Sequence, residues 1–141
     1  MHMLNIPIRV QFYETDMMEI AHHTNHLRWF EMARIEFFRN AGIELWDMMN
    51  KDIVFPILSI NCHYKEAAKF DDQLIIETRL IKMTKAQMVF TYRIIREKDG
   101  RVLAVGETQN AFSSKSSGKI IRLPDIFYKP LVKLVECETG I

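Results

Sequence analysis

TNHLRWFEMARIEFFRNA, residues Thr24 to Ala41, decides the fold. Phe30, Ala33, Phe37 and Ala41 share one face at helical spacing while Arg28, Glu31, Glu36 and Arg39 fall largely off it, so the stretch predicts one long amphipathic helix. Gly42 is the expected stop, because glycine accepts the left-handed conformation in which helices commonly end. Toward the N-terminus, Ile8, Val10 and Phe12 alternate with Arg9 and Gln11, the period of a half-buried strand that ends before Asp16. Toward the C-terminus, a loop through Asp47 to Val54 leads into four strand-like runs, about Pro56 to Lys65, Leu74 to Met83, Gln87 to Glu97 and Arg101 to Phe112. Asp99-Gly100 between the last two predicts a two-residue type I′ hairpin with positive φ at both positions, which makes those strands antiparallel neighbours. Ser113 to Gly118 (SSKSSG) reads as a surface turn, and Leu123 to Val135 as a closing short helix limited by Pro124 and Pro130.

One strand, one long helix and four strands give an α+β fold, an antiparallel sheet wrapped around a helix. A helix covers only one face of a sheet. Ile75, Ile81, Val89, Ile95, Leu103 and Val105 supply apolar side chains on both faces, so a second subunit is expected over what the helix leaves bare.

The chain has 141 residues, 48% of them hydrophobic, which suits one domain over residues 1–141 burying roughly two-thirds of its unfolded surface. Nineteen Lys and Arg against 18 Asp and Glu leave a formal charge of +1, so no global field draws the protein to nucleic acid or a membrane. Cys62 and Cys137 have no CxxC or Cys/His metal spacing, and MHMLNIPIRV has no apolar signal core. A reducing cytoplasm is the expected location.

Just upstream of the helix, DMMEIAHHTNH (Asp16 to His26) sets a carboxylate ahead of a histidine pair. A helix start presents free N–H groups and the positive end of a dipole, and a nearby aspartate offers a base or a nucleophile. Together they read as a hydrolytic site. The plainer reading makes Asp16 a turn or cap residue, with Thr24 and Asn25 capping the helix. His22 and His26 stand four apart, but no HExxH or matching carboxylate accompanies them, so no metal is expected. Glu31 and Arg34, three apart, read as an ion pair at the surface or an interface.

Three stretches carry a family likeness in order: RVQFYETD (Arg9 to Asp16), LRWFEMARIEFFRNAGI (Leu27 to Ile43) and FPILSINCHYKEAAKFDDQLIIETRL (Phe55 to Leu80). Over most of its length the chain resembles the hotdog-fold acyl-CoA thioesterases of the 4-hydroxybenzoyl-CoA thioesterase type. The resemblance implies a five-stranded antiparallel sheet wrapped around one long central helix. It implies an acyl-CoA substrate, no cofactor beyond the CoA of the substrate itself, and a homodimer or homotetramer. It places the catalytic carboxylate at Asp16, as nucleophile or general base, and the oxyanion site at the helix start, His22, His23 and Thr24, with His23 at the reacting carbonyl. Oxyanion donors of this kind are worth roughly 2.7–4 kcal/mol each. A thiol with pKa about 8.5 leaves as thiolate without a strong acid, so few groups suffice.

Met17, Met18, Trp29 and Phe30 are the candidate acyl slot, with Met17, Met18 and Ile20 drying Asp16, and Phe55, Pro56 and Ile57 closing the slot from a partner. The phosphates of CoA call for positive charge at the pocket mouth, where Lys82 and Lys85 are the candidates, with Arg122 and Lys115 behind them. The chain departs from the family pattern at Glu19, where a glycine is common, and at His26, where a tyrosine is. Two alternatives stay open: an acyl group carried on acyl carrier protein, and a non-catalytic hotdog protein that binds acyl-CoA or assembles with a partner.

Overall fold

Leu4–Arg9 forms β1 in a computed structural model that describes residues 3–135. A 3-10 turn at Phe12–Glu14 precedes helix α1, Asn25–Asn40, and helix α2, Leu45–Asn50. Then come β2 (Ile53–Val54), β3 (Ile57–Tyr64), β4 (Gln73–Met83), β5 (Gln87–Arg96), β6 (Val102–Ala111), β7 (Ser113–Ser114) and helix α3, Asp125–Val132. Five strands make one antiparallel sheet in the order β1-β4-β5-β6-β3, while β2 and β7 pair separately.

The 16-residue α1 lies on this sheet, as its periodicity dictates: Trp29, Phe30, Ala33, Phe37 and Phe38 are all buried. Phe30 stacks on Tyr92 of β5 with ring centroids 4.1 Å apart, and Phe37 meets Phe90 edge-on at 5.2 Å. Contact this close requires Gly106 in β6, because a Cβ there would stand 2.5 Å from Phe30 Cε2 and 2.7 Å from the Asn61 carbonyl oxygen. On the face toward α1, Leu74, Ile76 and Leu80 are fully buried, whereas Ile75 and Ile81 on the opposite face are half-buried. Among the described residues no helix is long and apolar enough to cross a membrane.

The long helix is not alone: α2 and α3 add six and eight residues, and the eight-residue one is the closing helix expected at Leu123 to Val135. β1 runs four residues earlier than its alternation suggested. Val10 leaves the ladder to exchange backbone bonds with Asp71 and Asp72, and Phe12 turns out to 70% exposure. The β5–β6 connection is a five-residue turn, residues 97–101, in which only Gly100 takes positive φ (70°). Asp99 instead grips the Arg96 guanidinium (2.8 Å) and the Arg101 N–H (3.1 Å), which overrides the type I′ geometry. Glu31 and Arg34 do not pair as expected. Arg34 is 3% exposed and points its Nη1 at the Tyr92 hydroxyl (3.1 Å), which itself lies 2.6 Å from Thr108 Oγ1. Cys62 is a free thiol, its pKa raised chiefly by burial. Cys137 lies outside the described residues.

Candidate active site

The segment joining β1 to α1 is built around Glu14. Its Oε1 accepts the Gln11 N–H (2.7 Å), its Oε2 accepts the indole N–H of Trp29 (2.9 Å), and its carbonyl accepts the His22 N–H (2.8 Å). One acidic residue thus fixes the helix start against the turn before it. From there Thr15 bridges to Ala21, closing a tight loop with Asp16 at its entry. Asp16 Oδ1 accepts the N–H groups of Met18 (2.8 Å) and Ile20 (3.3 Å). This is the turn role that aspartate favours. The second oxygen, Oδ2, has no partner among the described residues, and the side chain is exposed. Glu19 sits in the same loop at φ 64°, the left-handed region, which accounts for glycine being suited there; its side chain is exposed.

At the helix start, Thr24 makes no side-chain cap. The ring of His22 does that work: its Nδ1 accepts the Thr24 N–H (3.3 Å) and lies 2.8 Å from Thr24 Oγ1. Asn25 likewise does not cap its own helix but sends Nδ2 to the carbonyls of Glu14 (2.8 Å) and His22 (3.1 Å). The His23 N–H donates to no acceptor among the described residues. A cleft of about 320 Å³ opens at that point, between Ile20, Ala21, His23 and His26 on one side and the bend from Tyr64 to Ala68 on the other.

Tyr64 crosses the cleft to donate its hydroxyl to the His23 carbonyl (2.7 Å). Burial, with the Cys62 thiol beside it, pushes that phenol up to about 12, so it remains a donor at any ordinary pH. His26 is 3% exposed, tilted against Trp29 and edge-on to Tyr64, and burial lowers its pKa to about 4. Its Nδ1 lies 3.1 Å from the His23 carbonyl, which can only accept, so the neutral ring carries its proton there. Nε2 is then a lone pair buried without a partner among the described residues.

Of the candidates at the helix start, His23 lines this cleft, and so does Ile20 of the Asp16 loop, whereas Asp16, His22 and Thr24 are not among its lining residues. The structure does not bring the other candidates there within one chain. Met17 and Met18 are exposed at 102% and 76% and dry nothing. Trp29 is held by Glu14 and Phe30 by Tyr92, so both are core and line no slot. Phe55 packs on Phe38, and Pro56 and Ile57 are exposed at the start of β3, at the far end of the strand from Tyr64. Lys82 and Lys85 are at that far end too, since Met83 pairs with Met88 and Met88 with Asn110, which faces Ile57. Lys85 also holds Asp125 of α3 at 2.7 Å. Spacing did not reveal Tyr64 or Glu14, because Tyr64 reaches a carbonyl 41 residues away and the Glu14 carboxylate an indole 15 residues on, and it assigned Asn25 only a capping role. A larger groove of about 540 Å³ between β1 and α1 contains Glu36 and Arg39, which pair with each other.

Residues 10–131 match the thioesterase-like superfamily. A candidate esterase of Aquifex aeolicus (strain VF5) is 33% identical over 116 residues, 82% of this chain and 88% of that protein. The acyl-CoA thioester hydrolase YbgC of Escherichia coli O6:H1 is 28% identical over 66% of this chain and 69% of its own length. The crystal structure of a DHNA-CoA thioesterase from Staphylococcus aureus superposes with a TM-score of 0.86 at 27% identity, covering 95% of this chain and 89% of that one.

Proposed function

This chain belongs to the thioesterase-like superfamily, and from that premise we propose that it hydrolyses the thioester of an acyl-CoA to the free acid and CoA. The observation that carries the reading is the unpartnered His23 N–H at the cleft edge, one short loop from a carboxylate with a free oxygen. A thioester carbonyl seated at that edge would place its oxygen on the N–H, where developing negative charge is stabilised. Asp16 Oδ2 then either bonds to the carbonyl carbon, giving an acyl-aspartate that water later cleaves, or takes a proton from the water that does so directly. In both cases the carbon–sulfur bond breaks, the thiolate departs, and a proton returns to it from solvent. Oxygen from labelled water appearing in the Asp16 carboxylate would mark the first route.

The cleft is completed by a second copy of the chain. β3 is an edge strand of eight residues, exposed along nearly its whole length, with Ile57, Leu58, Ile60 and Tyr64 all uncovered. Antiparallel pairing of β3 with its copy would set the Ile57 end of one strand opposite the Tyr64 end of the other. The partner's Phe55, Pro56 and Ile57 would thereby face this chain's cleft, and its Lys82 and Lys85 would lie on the same side of the seam, where CoA phosphates need charge. The single domain over residues 1–141, working without a cofactor, is part of the same reading.

Replacing Asp16 with Asn keeps an oxygen for the Met18 and Ile20 amides while removing the base, so the loop should hold while turnover falls. Released thiol, measured over an acyl-CoA panel, should drop on the order of 10²- to 10⁴-fold. Near-normal turnover by D16N rejects the assignment. Faster hydrolysis of the same acyl group on acyl carrier protein would reassign the substrate, and tight acyl-CoA binding without thiol release by the unaltered chain would make it a binder.

A further inference from the structure

We propose that Asn25 and Tyr64 are positioning residues that aim the His23 N–H, one clamping the peptide before it and the other the peptide after it. The inference rests on the thioesterase reading and adds the parts that make a single amide an effective donor.

A trans peptide is planar, so its carbonyl and its N–H point in opposite, mutually fixed directions. The His23 N–H belongs to the peptide whose carbonyl is that of His22. That carbonyl accepts both the main-chain N–H (3.0 Å) and the side-chain Nδ2 (3.1 Å) of Asn25. Asn25 is 5% exposed, and its Nδ2 is anchored again on the Glu14 carbonyl, so the grip does not swing. The following peptide is held by its own carbonyl, that of His23, which accepts the Tyr64 hydroxyl and the His26 Nδ1. Residue 23 therefore has both flanking peptides tied while its own N–H stays unused. His23 lies one residue ahead of the N-cap Thr24, where an amide outside the helix is normally free to move; this one is preorganised. Preorganisation is what lets a donor lower a barrier, since nothing has to rotate as charge develops.

The arrangement also gives a reason for an exposed tyrosine on an edge strand. Tyr64 is 46% accessible, yet its hydroxyl is the link from β3 to the helix start.

The test uses the full chain and two variants that keep shape while deleting donors, Tyr64→Phe and Asn25→Asp. Each should lower kcat by on the order of 10- to 100-fold, the loss that a small misplacement of a catalytic group produces, with KM within about twofold of the parent. The His23 amide resonance in a ¹⁵N–¹H spectrum should shift in Y64F, a readout that loss of packing elsewhere would not move. A kcat within twofold of the parent in Y64F, with the parent active and D16N dead, overturns the clamp and leaves the thioesterase reading standing. So does a rise in KM at unchanged kcat, which marks uniform binding instead. If the parent cleaves no acyl-CoA, the thioesterase reading fails by itself, and the clamp is decided by the amide resonance: unmoved in Y64F, it is refuted. Should N25D not fold, Y64F carries the same decision.

Discussion

His26 carries its proton on Nδ1 toward the His23 carbonyl and buries Nε2 between Trp29 and Tyr64, so a second proton has no acceptor to meet. Desolvation is the largest cause of its low pKa and the positive form of His23 adds to it, while the His23 carbonyl and Glu14 pull the other way. In the unfolded chain the ring takes a proton below about 6.5, but in the fold only below about 4. Between those values the unfolded state binds more protons, so stability must rise with pH through that window and be complete above it. The contribution is at most about 3 kcal/mol at neutral pH. Urea midpoints measured from pH 4 to 7 should climb in the parent and climb distinctly less in H26F; equal slopes would remove the histidine from the account. Asp16 shows how two readings of one residue coexist. Its Oδ1 does the ordinary work of a turn aspartate, which leaves Oδ2 free.

Between α1 and the sheet, the decisive contact is Phe30 over Gly106. The ring cannot retreat, because Tyr92 is stacked on it at 4.1 Å, and a Cβ at position 106 would also meet the Asn61 carbonyl oxygen. Gly106→Ala should therefore overpack the interface by about 1–3 kcal/mol and lower the melting temperature by roughly 5–10 °C. Adding F30L should return part of the loss, and calorimetry on the three variants checks both; an unchanged melting temperature in G106A would mean the helix shifts freely. Sequence periodicity made this element pair legible. α1 and β4 to β6 lie within one or two residues of where apolar spacing placed them, since each buries a whole face and so writes that face into the chain. What spacing missed is short or polar. α2 buries only Met48 and is too brief to show a period. β1 was misplaced because Val10 and Phe12 extend its alternation while the backbone is drawn away by Asp71, Asp72 and the Gln11–Glu14 capping box. Of the site, the loop aspartate and the helix start were legible as local patterns. Tyr64, 41 residues beyond the carbonyl it grips, was not.

In the molecule as a whole the sheet has, among the described residues, two open edges of unlike character. β1 carries Pro7, which has no N–H to offer a neighbour, whereas β3 offers eight residues with Leu58 and Ile60 exposed at 52% and 37%. A long, bare, apolar edge is a template for another chain and is seldom left open. Closure by a second copy would cover that edge and, on the proposed reading, would also bring cover to Met17, Met18 and the start of β3, the candidate acyl residues that one chain leaves exposed. Sedimentation of the parent should accordingly report two chains or a multiple of two. Lysine on an edge strand opposes strand addition, so Leu58→Lys with Ile60→Lys should release single chains that keep their circular-dichroism spectrum. Those chains retain Asp16 and the His23 clamp but lack the partner's wall, so kcat/KM for acyl-CoA should fall with dissociation and recover as concentration is raised. A parent that sediments as one chain while turning over at full rate would show that the cleft is complete within a single copy, and would refute the seam.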